Sequence, residues 1–130
     1  MRNAFQANKD DEIFQSSEAM WLAAVKLEWE NEKIDRARAF LTKARERVSS
    51  ARIWMKSALL EWQVGNIDTE ENLLKESLVK FPTYDKLWMM MGQLFDEQKK
   101  DVETARMFYK KGLNNCPNSV PLWRLAASLE

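Results

Sequence analysis

Residues 88–117 read WMMMGQLFDEQKKDVETARMFYKKGLNNCP, and a similar pattern recurs along the chain. Trp21, Trp54, Trp88 and Trp123 each open such a stretch, at spacings of 33, 34 and 35 residues. The stretch that starts at Trp88 carries one extra residue before Val102. A period of this length is typical of repeat proteins, in which each repeat is one small unit of secondary structure.

Each repeat is predicted to contain two helices. Apolar residues recur three and four positions apart after each Trp, which places them on one stripe of a helix. Gly65 predicts a turn between the helices of the second repeat, and Asp101 and Ser119 predict helix N-caps. Two short helices cannot bury their own apolar stripe, whereas stacked pairs can. The sequence therefore predicts an all-α solenoid of antiparallel helix pairs that forms a right-handed superhelix.

The positions of the four Trp residues set the expected organisation of the chain. We expect the end of a preceding repeat helix in residues 1–8, a polar linker in 9–16, repeat one in 17–50, repeat two in 51–83, repeat three in 84–118, and the first helix of a truncated repeat in 119–130. A complete solenoid needs polar capping helices, and neither end of the chain shows one. We therefore expect a piece of a longer array.

Composition argues against catalysis. The 130 residues include 20 Lys and Arg against 20 Asp and Glu, one Cys and no His. Without His, the chain lacks the commonest general base and the commonest metal ligand. Cys116 has no imidazole to activate it, so an inert thiol is expected. The balanced charge argues against a dedicated nucleic-acid binder, and no apolar run is long enough to span a membrane. The sequence predicts no enzyme, no cofactor, no catalytic residue and no metal site.

Residues at equivalent repeat positions are expected to form the core. A Trp at a repeated position most simply wedges between the helices of its unit, and an aromatic cage for a ligand is the less favoured alternative. The expected core residues are Trp21, Ala24, Leu27, Trp54, Leu60, Trp88, Gly92, Phe95 and Trp123.

A carboxylate follows the apolar stripe in the first two repeats. Glu28 and Glu61 both lie seven residues after a Trp, and a buried carboxylate must be paired or hydrogen-bonded. Arg38 is the expected ion-pair partner of Glu28, and this pair would fix the angle between two helices. The alternative is a solvated Glu28 at the edge of the stripe. Pairing is less expected for Glu61, because Glu71 stands where an Arg would be needed.

Four further residues are candidates for contact with a partner. Trp29 and Trp62 lie about 80° from the centre of the stripe, given a step of about 100° per residue. Packing between repeats is the favoured interpretation, and exposure on a partner-binding groove is the alternative, in which case they would be hot spots. Met89 and Met90 have the adaptable side chains that suit either role.

The third repeat resembles the tetratricopeptide repeat. The first two repeats depart from this pattern, because Leu27-Glu28 and Leu60-Glu61 come six and seven residues after their Trp. The first repeat carries W-x-x-A-x-x-L-E at residues 21–28 and A-R-x-F at residues 37–40. These two motifs together resemble the HAT repeat of RNA-processing proteins. The second repeat has Glu70-Glu71 where the HAT pattern has Ala-Arg. The tetratricopeptide match rests on Trp88, Gly92, Phe95, Ala105, Tyr109, Gly112 and Pro117.

Short segments narrow the resemblance further. AFQAN at 4–8, WLAAVKLE at 21–28, LEW at 60–62 and LWMMMGQ at 87–93 are similar to the HAT/TPR arrays of the pre-mRNA-processing factor 6 family. This resemblance implies a nuclear, non-enzymatic scaffold that bridges snRNP proteins as the spliceosomal tri-snRNP assembles. It implies protein partners, RNA only indirectly, and no membrane.

Two alternatives to this function stay open. One is a generic tetratricopeptide adaptor that binds a peptide, although Lys26, Lys56 and Arg124 do not form a convincing carboxylate clamp. The other is an RNA-binding repeat protein, although bulky apolar residues occupy the positions that would read bases. Apolar surface at the repeat ends also predicts self-association.

Overall fold

The computed structural model describes residues 18–48 and 50–130, and the expectations for 1–8 and 9–16 lie outside them. The regular structure of the described residues is helical, which confirms the all-α prediction of helix pairs. An extra π-helical segment, Leu94–Gln98, continues α5. The helices are α1 Glu18–Glu30, α2 Ile34–Arg47, α3 Ala51–Val64, α4 Ile67–Lys80, α5 Asp85–Gln93, α6 Val102–Asn115 and α7 Val120–Ser128.

The chain divides into two compact units, of which the first ends at Leu60 and the second covers Glu61–Glu130. In the first unit, α1 and α2 pack against each other through their apolar stripes. Residues spaced three and four apart on α2 face the core, since this spacing keeps them on one side of a helix. The core consists of Trp21, Val25, Ala37, Leu41, Ala44, Val48, Ile53 and Leu60.

In the second unit, small residues allow α5 and α6 to approach closely. Gly92 lies against the ring of Tyr109, and Gly112 lies against the Trp88 side chain. A Cβ at either glycine would clash with these atoms, so the two glycines set the distance between the helices. Beside this contact, Phe95 and Phe108 stack with 5.4 Å between their ring centroids.

The helix ends follow the sequence signals. The Asp101 carboxylate accepts a hydrogen bond from the backbone N–H of Thr104 at 3.2 Å and caps α6. The Ser119 hydroxyl accepts one from Leu122 at 3.3 Å and caps α7. Gly65, between α3 and α4, has a φ of +87°, which a residue with a side chain rarely adopts. The two predicted caps and the predicted turn are confirmed.

The π-helical segment accommodates the extra residue of the third repeat. The backbone N–H of Lys99 donates to the Leu94 carbonyl at 3.0 Å, which is the five-residue spacing of a π-helix. The N–H of Asp101 then donates to the Phe95 carbonyl at 2.7 Å before α6 begins. The insertion therefore widens one helical turn and leaves the start of α6 capped.

The core assignment is wrong for two residues. Leu27 is 59% exposed and Trp123 is 55% exposed. Leu60 and Leu94, which are equivalent to Leu27, are buried, and each lies on a helix that follows another described helix. Leu27 lies on α1 and Trp123 on α7, which are the first and the last helix of the described residues.

The other expected core residues are buried or half-buried. Ala24 and Phe95 are half-buried. Trp88, which is equivalent to Trp123, is buried because α6 packs over it through Gly112. The buried group comprises Trp21, Trp54, Leu60, Trp88 and Gly92.

Candidate functional site

In the second unit, a cluster of polar and charged side chains lies where the π-helical segment meets the first turns of α4. We call the group Trp62, Glu70, Glu71, Gln98 and Lys99 the polar junction. The wider π-helical turn ends at Gln98, and Lys99 follows it directly. Both side chains reach acidic residues of α4, so the inserted residue builds polar contacts between two repeats.

Glu70 is the buried acid of the polar junction. Its side chain occupies the position that Ala37 and Ala105 take in the other repeats, where small residues are fully buried. Glu70 is only 2% exposed. Burial raises the pKa of its carboxyl to about 7, because removal from water disfavours the charged form.

The amide of Gln98 connects Glu70 to Trp62. In the orientation that satisfies both amide atoms, its nitrogen donates to Glu70 Oε1 at 3.0 Å and its oxygen accepts from Trp62 Nε1 at 2.6 Å. A buried carboxylate, a primary amide and an indole N–H therefore form one chain of hydrogen bonds. Such networks are costly when one member is left unsatisfied.

Glu71, next to Glu70, has the opposite electrostatic environment. Lys75 lies 2.8 Å from one carboxylate oxygen, and Lys99 donates to the other. These two hydrogen bonds lower the pKa of Glu71, and the bond to Glu71 raises the pKa of Lys99. Lys99 also lies 5.1 Å from the ring centroid of Phe95, a cation–π distance. The pKa values of these adjacent carboxyls are thus shifted in opposite directions.

Glu61 is a second buried acid in this unit. It is 4% exposed, and its Oε1 accepts a hydrogen bond from Asn66 Nδ2 at 2.9 Å. The backbone N–H of Asn66 also donates to the Glu61 carbonyl at 2.9 Å. Glu61 therefore holds the turn between α3 and α4.

The predicted ion pair between Glu28 and Arg38 is wrong, because Glu28 lies beside Arg36 instead. Glu28 Oε2 lies 3.4 Å from Arg36 Nε, whereas Arg38 Nη1 donates to Asp35 Oδ1 at 3.1 Å. Arg36 and Arg38 flank the buried Ala37 on opposite sides of α2, about 100° away in each direction, so only one of them faces Glu28. Arg36 is the arginine on the side of α2 that faces Glu28.

The four partner-contact candidates differ in exposure. Trp29 is half-buried and packs against the core of the first unit, while Met89 and Met90 are half-buried on α5. Trp62 is 41% exposed, with its indole N–H bound within the polar junction. Trp62 is therefore the most accessible of the four, and their contact with a partner stays a prediction.

Sequence reasoning missed a groove beside Trp123. It has a volume of about 460 Å³ and lies between α6 and α7. Its lining combines apolar surface from Leu113 and Trp123 with the cationic side chains of Arg106 and Lys110. Arg106 also donates to the Leu129 carbonyl at 2.7 Å. The available signal was the position of Trp123 in residues 119–130, where the sequence predicts only the first helix of a repeat.

Cys116 lies at the C-terminal end of α6 and is partly buried. Burial is the main cause that raises the pKa of the Cys116 thiol, which disfavours the reactive thiolate. In residues 18–48 and 50–130, His, Cys, Asp and Glu form no group of three that could hold a metal ion. None of the helices in this part of the chain has the length and hydropathy to cross a membrane.

Comparison with known proteins agrees with the helical architecture. No protein-family model matches the chain. The pre-mRNA-splicing factor prp1 of Schizosaccharomyces pombe is 45% identical over 104 residues, which cover 80% of this chain and 11% of that protein. The chain thus spans about a ninth of the length of this relative.

A solved structure shows the same fold. The first TPR domain of Spaghetti (RPAP3), bound to the HSP90 peptide SRMEEVD, superposes with a TM-score of 0.67 at 15% identity. The match covers 85% of this chain and 89% of that domain. At this identity the likeness speaks for the tetratricopeptide-like fold alone.

Proposed function

We propose that this chain, a TPR/HAT-type helical repeat array similar to a pre-mRNA-splicing factor, is a protein-binding segment of a splicing scaffold. The similarity to prp1, 45% identity over 80% of the chain, carries the proposal. In finer terms, the chain would act without catalysis in the nucleus and bridge snRNP proteins as the tri-snRNP assembles. RNA would be contacted only indirectly, through these proteins.

The surface of the second unit supports protein binding. Trp62 and Trp123 are exposed by 41% and 55%, and large aromatic residues dominate binding energy when a partner buries them. Basic and acidic residues are balanced over the chain, so no strong positive field favours RNA. We propose Trp62 as the first contact residue to test, followed by Trp29, Met89 and Met90.

A pull-down from nuclear extract with this chain, with and without nuclease, tests the proposal. Retention of tri-snRNP proteins after nuclease treatment is the expected result. Trp62→Ala should reduce that retention, whereas Val79→Ala should not, because Val79 is an exposed apolar residue on α4 outside the polar junction. Loss of all proteins on nuclease treatment would instead indicate binding through RNA.

A peptide-binding adaptor is the second candidate, since the chain shares the fold of a TPR domain whose structure was solved with a bound peptide. Fluorescence anisotropy with a labelled SRMEEVD peptide distinguishes the two functions. Saturable binding, together with recovery of chaperones alone from the extract, would replace the splicing proposal. Absence of peptide binding together with recovery of tri-snRNP proteins would support it.

A further inference from the structure

We propose that the chain associates with a second copy of itself, by placing one face of its α1 in the groove between α6 and α7 of that copy. This face consists of Met20, Ala23 and Leu27, and we call it the outer face of α1. The groove is the one beside Trp123. The inference does not depend on the proposed function, because it concerns a contact between two identical chains.

The repeats themselves show what kind of surface covers an anchor Trp. The second helix of each repeat carries a large apolar residue, a small residue three positions later, and an apolar residue or Cys four positions after that. The three triplets are Leu41, Ala44 and Val48; Leu74, Ser77 and Phe81; and Tyr109, Gly112 and Cys116. The small residue is buried in all three, and Gly112 lies against Trp88. A small residue thus allows the covering helix to approach the anchor Trp.

The outer face of α1 carries the same triplet on an exposed surface. Met20 comes three residues before Ala23 and Leu27 four residues after it, so the three side chains share one side of the helix. Met20 is 46% exposed, Leu27 is 59% exposed, and Ala23 between them is exposed as well. The other side of α1 packs in the core through Trp21 and Val25. Helices that are apolar on both sides are generally covered on both.

The groove beside Trp123 provides a surface that matches this triplet. Trp123 is 55% exposed, whereas the anchor Trp residues of the three repeats are buried. Leu113 adds apolar surface from α6, and the small side chains of Ala126 and Ala127 leave space along α7. The helix α1 has 13 residues and α6 has 14, so their lengths are similar. The groove can therefore receive α1 in the way that Trp88 receives α6.

The charges of the two surfaces are complementary. Lys110 lines the groove and Lys111 lies beside it on α6, while Arg106, which also lines the groove, is paired with Glu130. The helix α1 contains three Glu and one Lys, and Glu30 at its end is exposed. Complementary charge favours the correct partner and speeds encounter. This attraction supports α1 of a second copy as the occupant.

The proposed contact joins two different surfaces, so a pair of copies still offers one of each to further copies. A single docked helix buries less than the total area of about 1,200 Å² at which standard interfaces begin. The association is therefore weak, and the sedimentation coefficient should rise with protein concentration.

Two variants each alter one side of the contact. Leu27→Lys places a cation on the outer face of α1, and Trp123→Ala removes the ring that this face covers. Each variant alone should associate about tenfold or more weakly than the unaltered chain, because loss of a central anchor has an effect of this size. Both side chains are exposed, so helix content measured by circular dichroism should stay the same.

A mixture of the two variants gives the decisive result. The Leu27→Lys copy keeps an intact groove, and the Trp123→Ala copy keeps an intact outer face of α1. Native mass spectrometry should therefore detect heterodimers with one copy of each variant and no larger species. A symmetric contact, such as Trp123 of one copy against Trp123 of another, predicts no such heterodimer.

Ala23→Leu separates this contact from general hydrophobic association. It makes the outer face of α1 more apolar, but the larger side chain keeps α1 away from Trp123, so association should weaken. Val79→Ala is the matched control, because Val79 is 83% exposed on α4 and belongs to neither surface. It should associate like the unaltered chain.

Three results would overturn the proposal. The first is an unaltered chain that stays monomeric at every concentration in sedimentation velocity. The second is a mixture of the two variants without heterodimers, and the third is stronger association of Ala23→Leu. If Trp123→Ala loses helix content, Ala127→Glu replaces it in the mixture, because Ala127 is exposed and lines the groove.

Discussion

Substitutions at Gly92 and Tyr109, made singly and together, test how α5 and α6 pack. A Cβ added at Gly92 would overlap Tyr109 Cε1 and would lie 2.6 Å from Cδ1 and Cζ. The ring must therefore move before these contacts reach the 3.0 Å below which Cβ contacts are essentially never seen. Tyr109 is 1% exposed, so it has little room to move. We therefore expect Gly92→Ala to lower the free energy of unfolding.

The expected magnitude combines two opposing effects. Overpacking in a close-packed core costs about 1–3 kcal/mol, and a contact this short belongs at the upper end. Ala improves helix propensity over Gly by about 1 kcal/mol. The net loss for Gly92→Ala is therefore about 2 kcal/mol. Tyr109→Leu, which leaves a cavity, should cost about 2 kcal/mol or more.

The double variant should recover much of this loss, because the missing ring makes room for the new methyl group. The first unit already pairs a Leu with a residue that carries a Cβ, since Val25 and Leu41 occupy the equivalent positions and are both buried in one core. The two single losses sum to about 4 kcal/mol, whereas the double variant should lose about 2 kcal/mol, a coupling of about 2 kcal/mol.

Urea unfolding followed by circular dichroism measures all four free energies. Gly65→Ala is the control, because it makes the same substitution where no atom lies within 4 Å of the new Cβ and φ is +87°. Its cost, about 1–2 kcal/mol from the backbone, should add to that of Tyr109→Leu without coupling. Additive losses for Gly92→Ala and Tyr109→Leu would refute the packing argument.

Two further predictions concern α7. Ser119→Ala should lower the free energy of unfolding by about 1 kcal/mol in urea, because the hydroxyl caps the helix and donates to Asp85 Oδ2 at 2.6 Å. Ser128→Ala, at the exposed end of the same helix, should change it by at most a few tenths, and an equal loss would contradict the capping role. Trp123→Ala should weaken concentration-dependent association in sedimentation velocity, since Trp123 is 55% exposed. Unchanged association in a variant of normal helix content would exclude Trp123 from that contact.

Two departures from the repeat pattern mark the position of the polar junction in the sequence. Glu70-Glu71 replaced the expected Ala-Arg, and the third repeat carried one extra residue before Val102. Each departure looked isolated, because the residues concerned are about 30 positions apart. The fold brings them together, since the π-helical turn that absorbs the insertion sets Gln98 against Glu70.

The sequence by itself determined the helices, their caps and the repeated anchors, because apolar spacing and N-cap chemistry act over a few residues. Tertiary structure decided which of these residues are covered. Leu27 and Trp123 carry the repeat pattern and are exposed, because burial requires a neighbouring helix that a local pattern does not specify. Tertiary structure also chose Arg36 over Arg38 as the partner of Glu28, since only one side of α2 faces that carboxylate.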